Sequence, residues 1–309
     1  MKAMSNKLVS IIIVTTGKEN YLESCLKSLY AQTYTDFEII VVDNSLNPDF
    51  TNKIRKFNPD IKLYSSPKNL FYCAALNKGI EMSKGDFILC LNDDVVLEKN
   101  FIEQALRGFS INSKIGLVSG KILRSDRKTV DSTGLFLTYC RRAKERGYGK
   151  VDRGQFEKEE YIFGTNGAAA FYRKEMLEDI KEGSDYFDPV FRIFYDDLDI
   201  AWRAKRKGWK GCYIPSAIAY HIRGGTVRLN SGIGKPYSRR YLSDELHADL
   251  IKNRYLTIIK NESLLGLLLH LPGIVFYDCI SWGYCLLFRP KMLLYFIFNL
   301  KYLKIALKK

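Results

Sequence analysis

Four polar clusters in this chain carry side chains able to hold a cation and move a proton: Asp43-Asn44-Ser45, Asn92-Asp93-Asp94, Asp196-Asp197 and His221. Carboxylate oxygens and an imidazole suit a divalent cation such as Mg2+ or Mn2+. A bound cation neutralises the charge that grows on a departing diphosphate. A further carboxylate can take the proton of an attacking hydroxyl, whose own pKa is far too high for it to ionise unaided. Each cluster also has a plainer reading. Asp and Asn end strands as turn formers, and an acidic pair at a helix start suits the positive end of the helix dipole. The chemical reading rests on the clusters occurring together, three of the four at the ends of predicted strands.

Those strands are visible as apolar runs. Residues 8–15 (LVSIIIVT) and 37–42 (FEIIVV) are rich in β-branched side chains and predict strands buried on both faces. Residues 86–91 (DFILCL) predict another, ending at Asn92. Between the first two, Tyr21, Leu22, Cys25, Leu26 and Leu29 share one helical face. A polar helix to residue 57, a short strand near 61–64 and a helix over 71–83 follow. Such alternation means a parallel sheet with right-handed crossovers, and ligands sit off the carboxyl ends of its strands. Further on, the pattern predicts a helix at 101–112, a strand at 115–123, an apolar stretch at 168–172 and a helix at 196–207. Strands at 211–214 and 217–221 follow, the last ending in His221. Residues 124–160 carry Arg141, Arg142, Lys144, Arg146 and Lys150 without clear periodicity, and read as a solvated excursion over the site face. Trp202 and Trp209 flank a helix and read as core.

The formal net charge of +14, from 48 Lys+Arg against 34 Asp+Glu, favours an anionic partner. No finger spacing, aromatic–glycine RNA motif or long basic run accompanies it, so nucleic acid is not expected. Seven scattered cysteines without a Cys-x-x-Cys pair read as reduced thiols. Thr15-Thr16-Gly17-Lys18 holds one glycine. That argues against a dehydrogenase, which needs Gly-x-Gly-x-x-Gly, and against a nucleotidyltransferase gripping a triphosphate. Residues 1–7 do not form a leader, so the catalytic part is expected in the cytoplasm. Beyond 240 the composition shifts: an amphipathic helix at 241–260, then an apolar stretch at 263–288 interrupted by His270, Pro272 and Asp278. Residues 292–307 are apolar, with Lys301, Lys304 and Lys308 spaced along one side. A spanning helix needs ~20 mainly apolar residues, but the proline and aspartate point to a broken helical hairpin lying in the headgroup layer. Its lysines would face anionic lipid. A spanning helix and self-packing into a homo-oligomer are the alternatives. The expected organisation is a catalytic domain at 1–240 and a helical, membrane-associating region at 241–309.

Five blocks, in order, resemble the inverting family-2 glycosyltransferases with the GT-A fold: VSIIIVTTGKENYLESCLKSL, FEIIVVDNS, NLFYCAALNKGI, GDFILCLNDDV and FYDDLDIAWRAKRKGWKGCYIPSAIAYHIRGG. The branch they most resemble is that of rhamnosyltransferase-like and galactofuranosyltransferase-like bacterial enzymes, and the likeness covers about 8–225. It implies an α/β fold of the GT-A type, Rossmann-like, with a mostly parallel central sheet flanked by helices. It further implies that Thr15 and Asp43 contact the nucleoside and that Asn69, Phe71 and Asn77 line its pocket. Asn92-Asp93-Asp94 falls at the family's metal-binding Asp-x-Asp, Asp197 at the general base with Asp196 positioning it, and His221 at a further metal ligand. Residues 164–167 (GTNG) form either a wall near the transferred sugar or a plain turn. Asn92 departs from the motif and removes one negative charge. Asp94 is therefore expected to be the main carboxylate ligand, completed by His221 and diphosphate oxygens, with Asp93 ligating or touching the donor ribose. The implied reaction moves a sugar from a nucleoside diphosphate donor to a hydroxyl of a lipid-linked or cell-surface polysaccharide acceptor. L-rhamnose from dTDP-rhamnose comes first and a UDP-linked sugar second. The implied location is the cytoplasmic face of the inner membrane, in peripheral or monotopic attachment. An inactive glycan-binding or scaffold paralogue is the alternative, against which the retained Asp94, Asp197 and His221 argue.

Overall fold

The computed structural model describes residues 7–17, 21–223 and 242–306. Expectations that rest on 1–6, Lys18, Asn20, Gly224, Gly225, Tyr241 and Lys308 lie outside the described residues.

The first half alternates as the apolar runs require: β1 (Val9–Thr15), α1 (Tyr21–Tyr30), β2 (Phe37–Asp43), α2 (Pro48–Phe57), β3 (Lys62–Ser65), α3 (Phe71–Glu81) and β4 (Phe87–Asn92). A three-residue strand β5 (Val95–Leu97) follows, then α4 (Phe101–Ile111) and the long β6 (Ile115–Arg124). The stretch read as a solvated excursion is in fact structured. It holds β7 (Val130–Ser132), β8 (Leu135–Leu137) and β9 (Ala143–Glu145), and β10 (Glu160–Ile162) begins at its end. Next come β11 (Ala169–Arg173), α5 (Lys174–Ile180), α6 (Asp196–Arg206) and β12 (Lys210–His221), and lastly α7 (Asp244–Asn261), α8 (Leu264–Phe288) and α9 (Met292–Ala306).

The main sheet runs β10-β12-β6-β11-β4-β1-β2-β3, with β5 added on β12 and β7 on β6. β3, β2, β1 and β4 are mutually parallel. β11 is antiparallel to both β4 and β6, and β12 is parallel to β6. Consequently β1, β2, β4, β6 and β12 all end on one rim, while β11 starts there. Thr15 stands beside Asp43, Val14 beside Asn92, and His221 beside Arg124.

Both faces of the sheet are covered, as the unbroken apolar runs demand. Along β1, Ile11 and Ile13 pack under α1 and α4, while Ile12 and Val14 pack toward α3, α5 and α6. The two strands expected at 211–214 and 217–221 are one strand with an irregularity between Ile214 and Ile218. There the carbonyl of Ala217 presses against Gly120, where a Cβ would meet it at 2.3 Å.

The C-terminal region differs from expectation in two respects. α7, assigned beyond the division at 240/241, is bonded into the α/β body: Lys252 donates to Val190 O (2.8 Å) and Asn261 to Asp199 (2.8 Å). The broken hairpin expected at 263–288 is instead one helix of 25 residues with Pro272 inside it. A proline removes a donor and loosens the preceding turn. Here the Tyr139 hydroxyl donates to the Leu269 carbonyl (2.8 Å) in that turn, a tertiary contact that holds the helix beside the proline.

Candidate active site

The residues expected at the nucleoside are held mainly by their own loops. Asp43 is buried and accepts from Ser45 N (2.8 Å) and Thr51 Oγ1 (2.6 Å), closing the turn after β2. Thr15 donates to Asp93 Oδ2 (2.6 Å) and accepts from Gly17 N (3.1 Å). Asn69 Oδ1 accepts from Phe71 N (2.8 Å) at the start of α3. Phe71 has φ +58° and keeps its ring 41% exposed, with the Arg192 guanidinium 3.9 Å from the ring centre. Asn77 is turned elsewhere. Its amide donates to Asp185 (2.9 Å) and Phe187 O (2.7 Å) and accepts from Phe187 N (2.8 Å). It lies ~1.7 turns beyond Phe71 on α3, and it ties that helix to 185–187.

The next strand ends bring the proposed cation ligands together. β5 pairs with β12 so that Val95 faces His221, which places the neighbouring Asp94 within reach. His221 Nε2 is 3.3 Å from Asp94 Oδ1, and its Nδ1 is 2.9 Å from Asp131 Oδ2. Arg223 pairs with the other oxygen of Asp131. The electrostatics follow from this chain of opposite charges. Burial opposes a charged His221, yet the carboxylates of Asp94 and Asp131 raise its pKa to about 9. Burial would raise Asp131, but Arg223 and then His221 outweigh it and bring it down to about 2. Burial lifts Asp93 to about 6, opposed by the Thr15 bond and reinforced by the charge of Asp94. An oxygen and an imidazole nitrogen, with the far imidazole nitrogen held by a carboxylate, form a donor pair that fits Mg2+ or Mn2+. Among the described residues, no group of three or more His, Cys, Asp and Glu is placed to hold a metal ion alone.

Asp196 and Asp197 open α6 after a contorted approach: Arg192, Phe194 and Tyr195 have φ of +63°, +71° and +66°. Asn253 of α7 braces this approach by directing its amide at the carbonyls of Phe191, Ile193 and Phe194 (2.8, 2.7 and 2.9 Å). Asp197 accepts from Gly167 N (3.3 Å) and Leu198 N (2.8 Å). Burial raises the pKa of both carboxyls, and the charge of Asp197 lifts Asp196 further. Residues 164–167 are therefore in contact with Asp197 through that bond from Gly167.

A third carboxyl joins them. Glu145, at the end of β9, accepts from Asn166 Nδ2 (2.6 Å) and from the Ser132 hydroxyl. Burial, with the charge of Asp197, raises it to about 8. The Tyr72 hydroxyl lies 2.9 Å from Asn92 Oδ1 and 3.1 Å from Gly167 O. Two chains of contact thus link the strand-end cluster to Asp197. One runs from Asn92 through Tyr72 to Gly167, whose N–H donates to Asp197; the other runs from His221 through Asp131, the adjacent Ser132, Glu145 and Asn166 to the same Gly167. Tyr72, Asp131, Ser132, Glu145 and Arg223 were not singled out from sequence. Arg223 had no strand signal, since it lies two residues past the end of β12 with φ +63°. Asp131, Ser132 and Glu145 had none, sitting on three-residue strands in an aperiodic stretch. Trp202 and Trp209 are buried, the latter donating to Asp179 (2.8 Å), and both are packing residues.

The description "Glycosyl transferase family 2" belongs to the family model that matches residues 10–181. A putative glycosyltransferase, EpsH of Bacillus subtilis (strain 168), is 29% identical over 179 residues, 57% of this chain and 49% of that protein. The poly-beta-1,6-N-acetyl-D-glucosamine synthase of Staphylococcus epidermidis is 20% identical over 221 residues, 71% of this chain and 51% of that protein. The chain spans about half the length of these curated relatives. Among solved structures, GalNAc-T7 with UDP, GalNAc and Mn2+ is similar at a TM-score of 0.62 and 15% identity, over 82% of this chain and 48% of that one. The mannosyltransferase PcManGT of Pyrobaculum calidifontis, in complex with GDP-Man and Mn2+, is similar at 0.55 and 14%, over 96% and 85%. At such identities the likeness is one of fold.

Proposed function

We propose, from the premise that this chain belongs to glycosyl transferase family 2, that it is an inverting, cation-dependent transferase. It moves a sugar from a nucleoside diphosphate to a hydroxyl of a lipid-linked or cell-surface polysaccharide acceptor. The observation that carries this reading is the pair of chains of bonded and adjacent residues that join Asn92, and His221 beside Asp94, to Asp197 through Gly167. Asp94 and His221, the latter in its neutral form, would hold a Mg2+ or Mn2+ ion, which would supply the positive charge that a leaving diphosphate needs. Asp197 accepts the acceptor's proton as that oxygen attacks the anomeric carbon, and the electron pair of the broken bond leaves on the diphosphate. Attack opposite the leaving group inverts the carbon. Glu145, raised to about 8, keeps its proton at neutral pH and leaves Asp197 to serve as the base. Thr15, Asp43, Asn69 and Phe71 form the nucleoside side, with Asn92 and Asp93 toward the donor sugar and diphosphate; Asp196 positions the base.

The five sequence blocks support dTDP-rhamnose as the donor. UDP-linked sugars are the second reading, favoured by the UDP in the GalNAc-T7 structure. The exposed apolar residues of α8 and α9 support attachment to the cytoplasmic face of the inner membrane. The test is a thermal-shift panel of nucleotide sugars with and without Mn2+, since a ligand of the native state raises its melting temperature. The stabilising donor is then assayed for released nucleoside diphosphate. Excess chelator is expected to stop that release. Full activity in chelator overturns the cation, pyrophosphate release overturns glycosyl transfer, and silence on every donor favours an inactive glycan-binding paralogue.

A further inference from the structure

α8 is apolar along its whole length, yet its two faces meet different surroundings. On one face, His270 packs edge-on against Tyr139 (4.7 Å between ring centres), and Gly273 lies so close that a Cβ would fall 2.5 Å from the Tyr139 ring. One turn on, Arg142 covers Tyr277 (4.6 Å) and Arg254 of α7 pairs with Asp278. Trp282 donates to Tyr255 (2.9 Å), and Cys285 packs with Ala248 and Ile251 of α7. Just past the helix, Arg289 donates to Asp244 at the start of α7 (2.7 Å). These positions recur every three or four residues and make one stripe. The opposite stripe is Leu265, Leu268, Val275, Phe276, Ile280 and Leu287, each between 50% and 77% exposed. Asp278, on the bonded side, is the only Asp, Glu, Lys or Arg between 264 and 288. α9 extends the apolar surface through Leu294, Ile297 and Phe298, bordered by exposed Lys291, Lys301 and Lys304.

A spanning helix meets hydrocarbon or other apolar helices all round. Here one flank is held along its length, the first half by Tyr139 and Arg142 of the β8–β9 hairpin and the second half by α7, whose Asp249, Lys252 and Lys260 are in turn bonded into the α/β body. Threading α8 through a bilayer would draw the Arg254–Asp278 pair and Arg142 into hydrocarbon, which is costly. We propose that α8 lies in the plane of one leaflet, its Leu265–Leu268–Phe276–Leu287 face among the acyl chains and the lysines of α9 on anionic headgroups. At 1.5 Å per residue the helix would cover roughly 37 Å of membrane surface. The inference rests on the membrane attachment proposed above and specifies how it is made.

The experiment uses the full chain in sealed, inverted inner-membrane vesicles, with Ser263→Cys and Lys291→Cys made separately at the two ends of α8. A membrane-impermeant maleimide is added and labelled peptides are identified by mass. Both sites should label without permeabilisation, because both ends face the cytoplasmic side. Labelling of one end only after permeabilisation overturns the in-plane arrangement while leaving attachment intact. Co-sedimentation with vesicles of phosphatidylcholine and phosphatidylglycerol tests attachment itself. A chain that stays in the supernatant as a dimer, with this face shielded, overturns both. Phe276→Glu with Leu287→Glu should move most of the protein to the supernatant and leave hydrolysis of soluble donor unchanged; undiminished sedimentation overturns the assigned face.

Discussion

Asp131 sits between two cationic side chains, Arg223 on one oxygen and His221 Nδ1 on the other. A carboxylate that accepts from Nδ1 fixes the imidazole's tautomer and leaves Nε2, on the Asp94 side, to ligate. Asp131→Asn is therefore expected to weaken Mn2+ binding ~10–100-fold, read by titration of the ion against the folded variant. Unchanged affinity would remove Asp131 from the cation's surroundings. Asp197 is proposed as the base, and Asp197→Asn should then cut turnover by ~10²–10⁴-fold while donor affinity holds. Near-normal turnover would reassign the base. Because burial raises the Asp197 pKa, the acid limb of kcat/KM should lie above the ordinary Asp value of ~3.9. Below it the carboxyl is protonated and cannot accept. The same shift has an opposite consequence for folding. A carboxyl that holds its proton more tightly when folded opposes folding increasingly as pH rises from its unfolded pKa to its folded one. In chelator, Asp197→Asn should thus gain melting temperature over the parent as pH rises through that window.

At the scale of elements, the site depends on which strands reach the common rim. β12 delivers His221 only because it yields at Ile214–Ile218, where Ala217's carbonyl rests on Gly120. A Cβ at 120 would meet a backbone atom that cannot rotate away. Gly120→Ala should cost about 1–3 kcal/mol, seen as a lower denaturation midpoint, with a parallel loss of Mn2+ affinity as His221 shifts. Lost stability without lost Mn2+ affinity would mean that the irregularity serves packing alone. The rim itself was legible in the sequence, because β1, β2 and β4 are continuous β-branched or apolar runs and parallel strands put their carboxyl ends together. Asp43, Asn92, Asp93, Asp94 and His221 could be placed on one edge for that reason. What was not legible depends on pairing at long range. β5, β7, β8 and β9 are three residues each, too short to show a period. The Asp131–His221 contact joins residues 90 apart, which no local pattern encodes. Pro272 reads as a break by local rules, and the contact from Tyr139 that holds the helix beside it comes from a loop 130 residues away from the Leu269 carbonyl it bonds.

Across the whole molecule, the β8–β9 hairpin connects the two surfaces where this protein is expected to work. Its tip puts Tyr139 and Arg142 on α8, and its returning strand ends at Glu145 beside Asn166 and close enough to Asp197 to feel its charge. An acceptor anchored in the same leaflet as α8 would present its hydroxyl from the side on which the hairpin stands. The proposed attachment would combine two forces with different responses to salt. Exposed Lys291, Lys301 and Lys304, within a chain of net charge +14, contribute on the order of 1 kcal/mol each on an anionic leaflet. That attraction fades when 1 M salt shortens the screening length to ~3 Å. Burial of the α8 and α9 apolar faces contributes ~25 cal/mol per Å² and is not screened by salt. If the apolar faces dominate, washing membranes with 1 M NaCl should leave most of the protein in the pellet, and a non-ionic detergent should release it. Elution by salt alone would show that the lysines hold the protein at the surface and that the leucines and phenylalanines of α8 and α9 are covered in some other way.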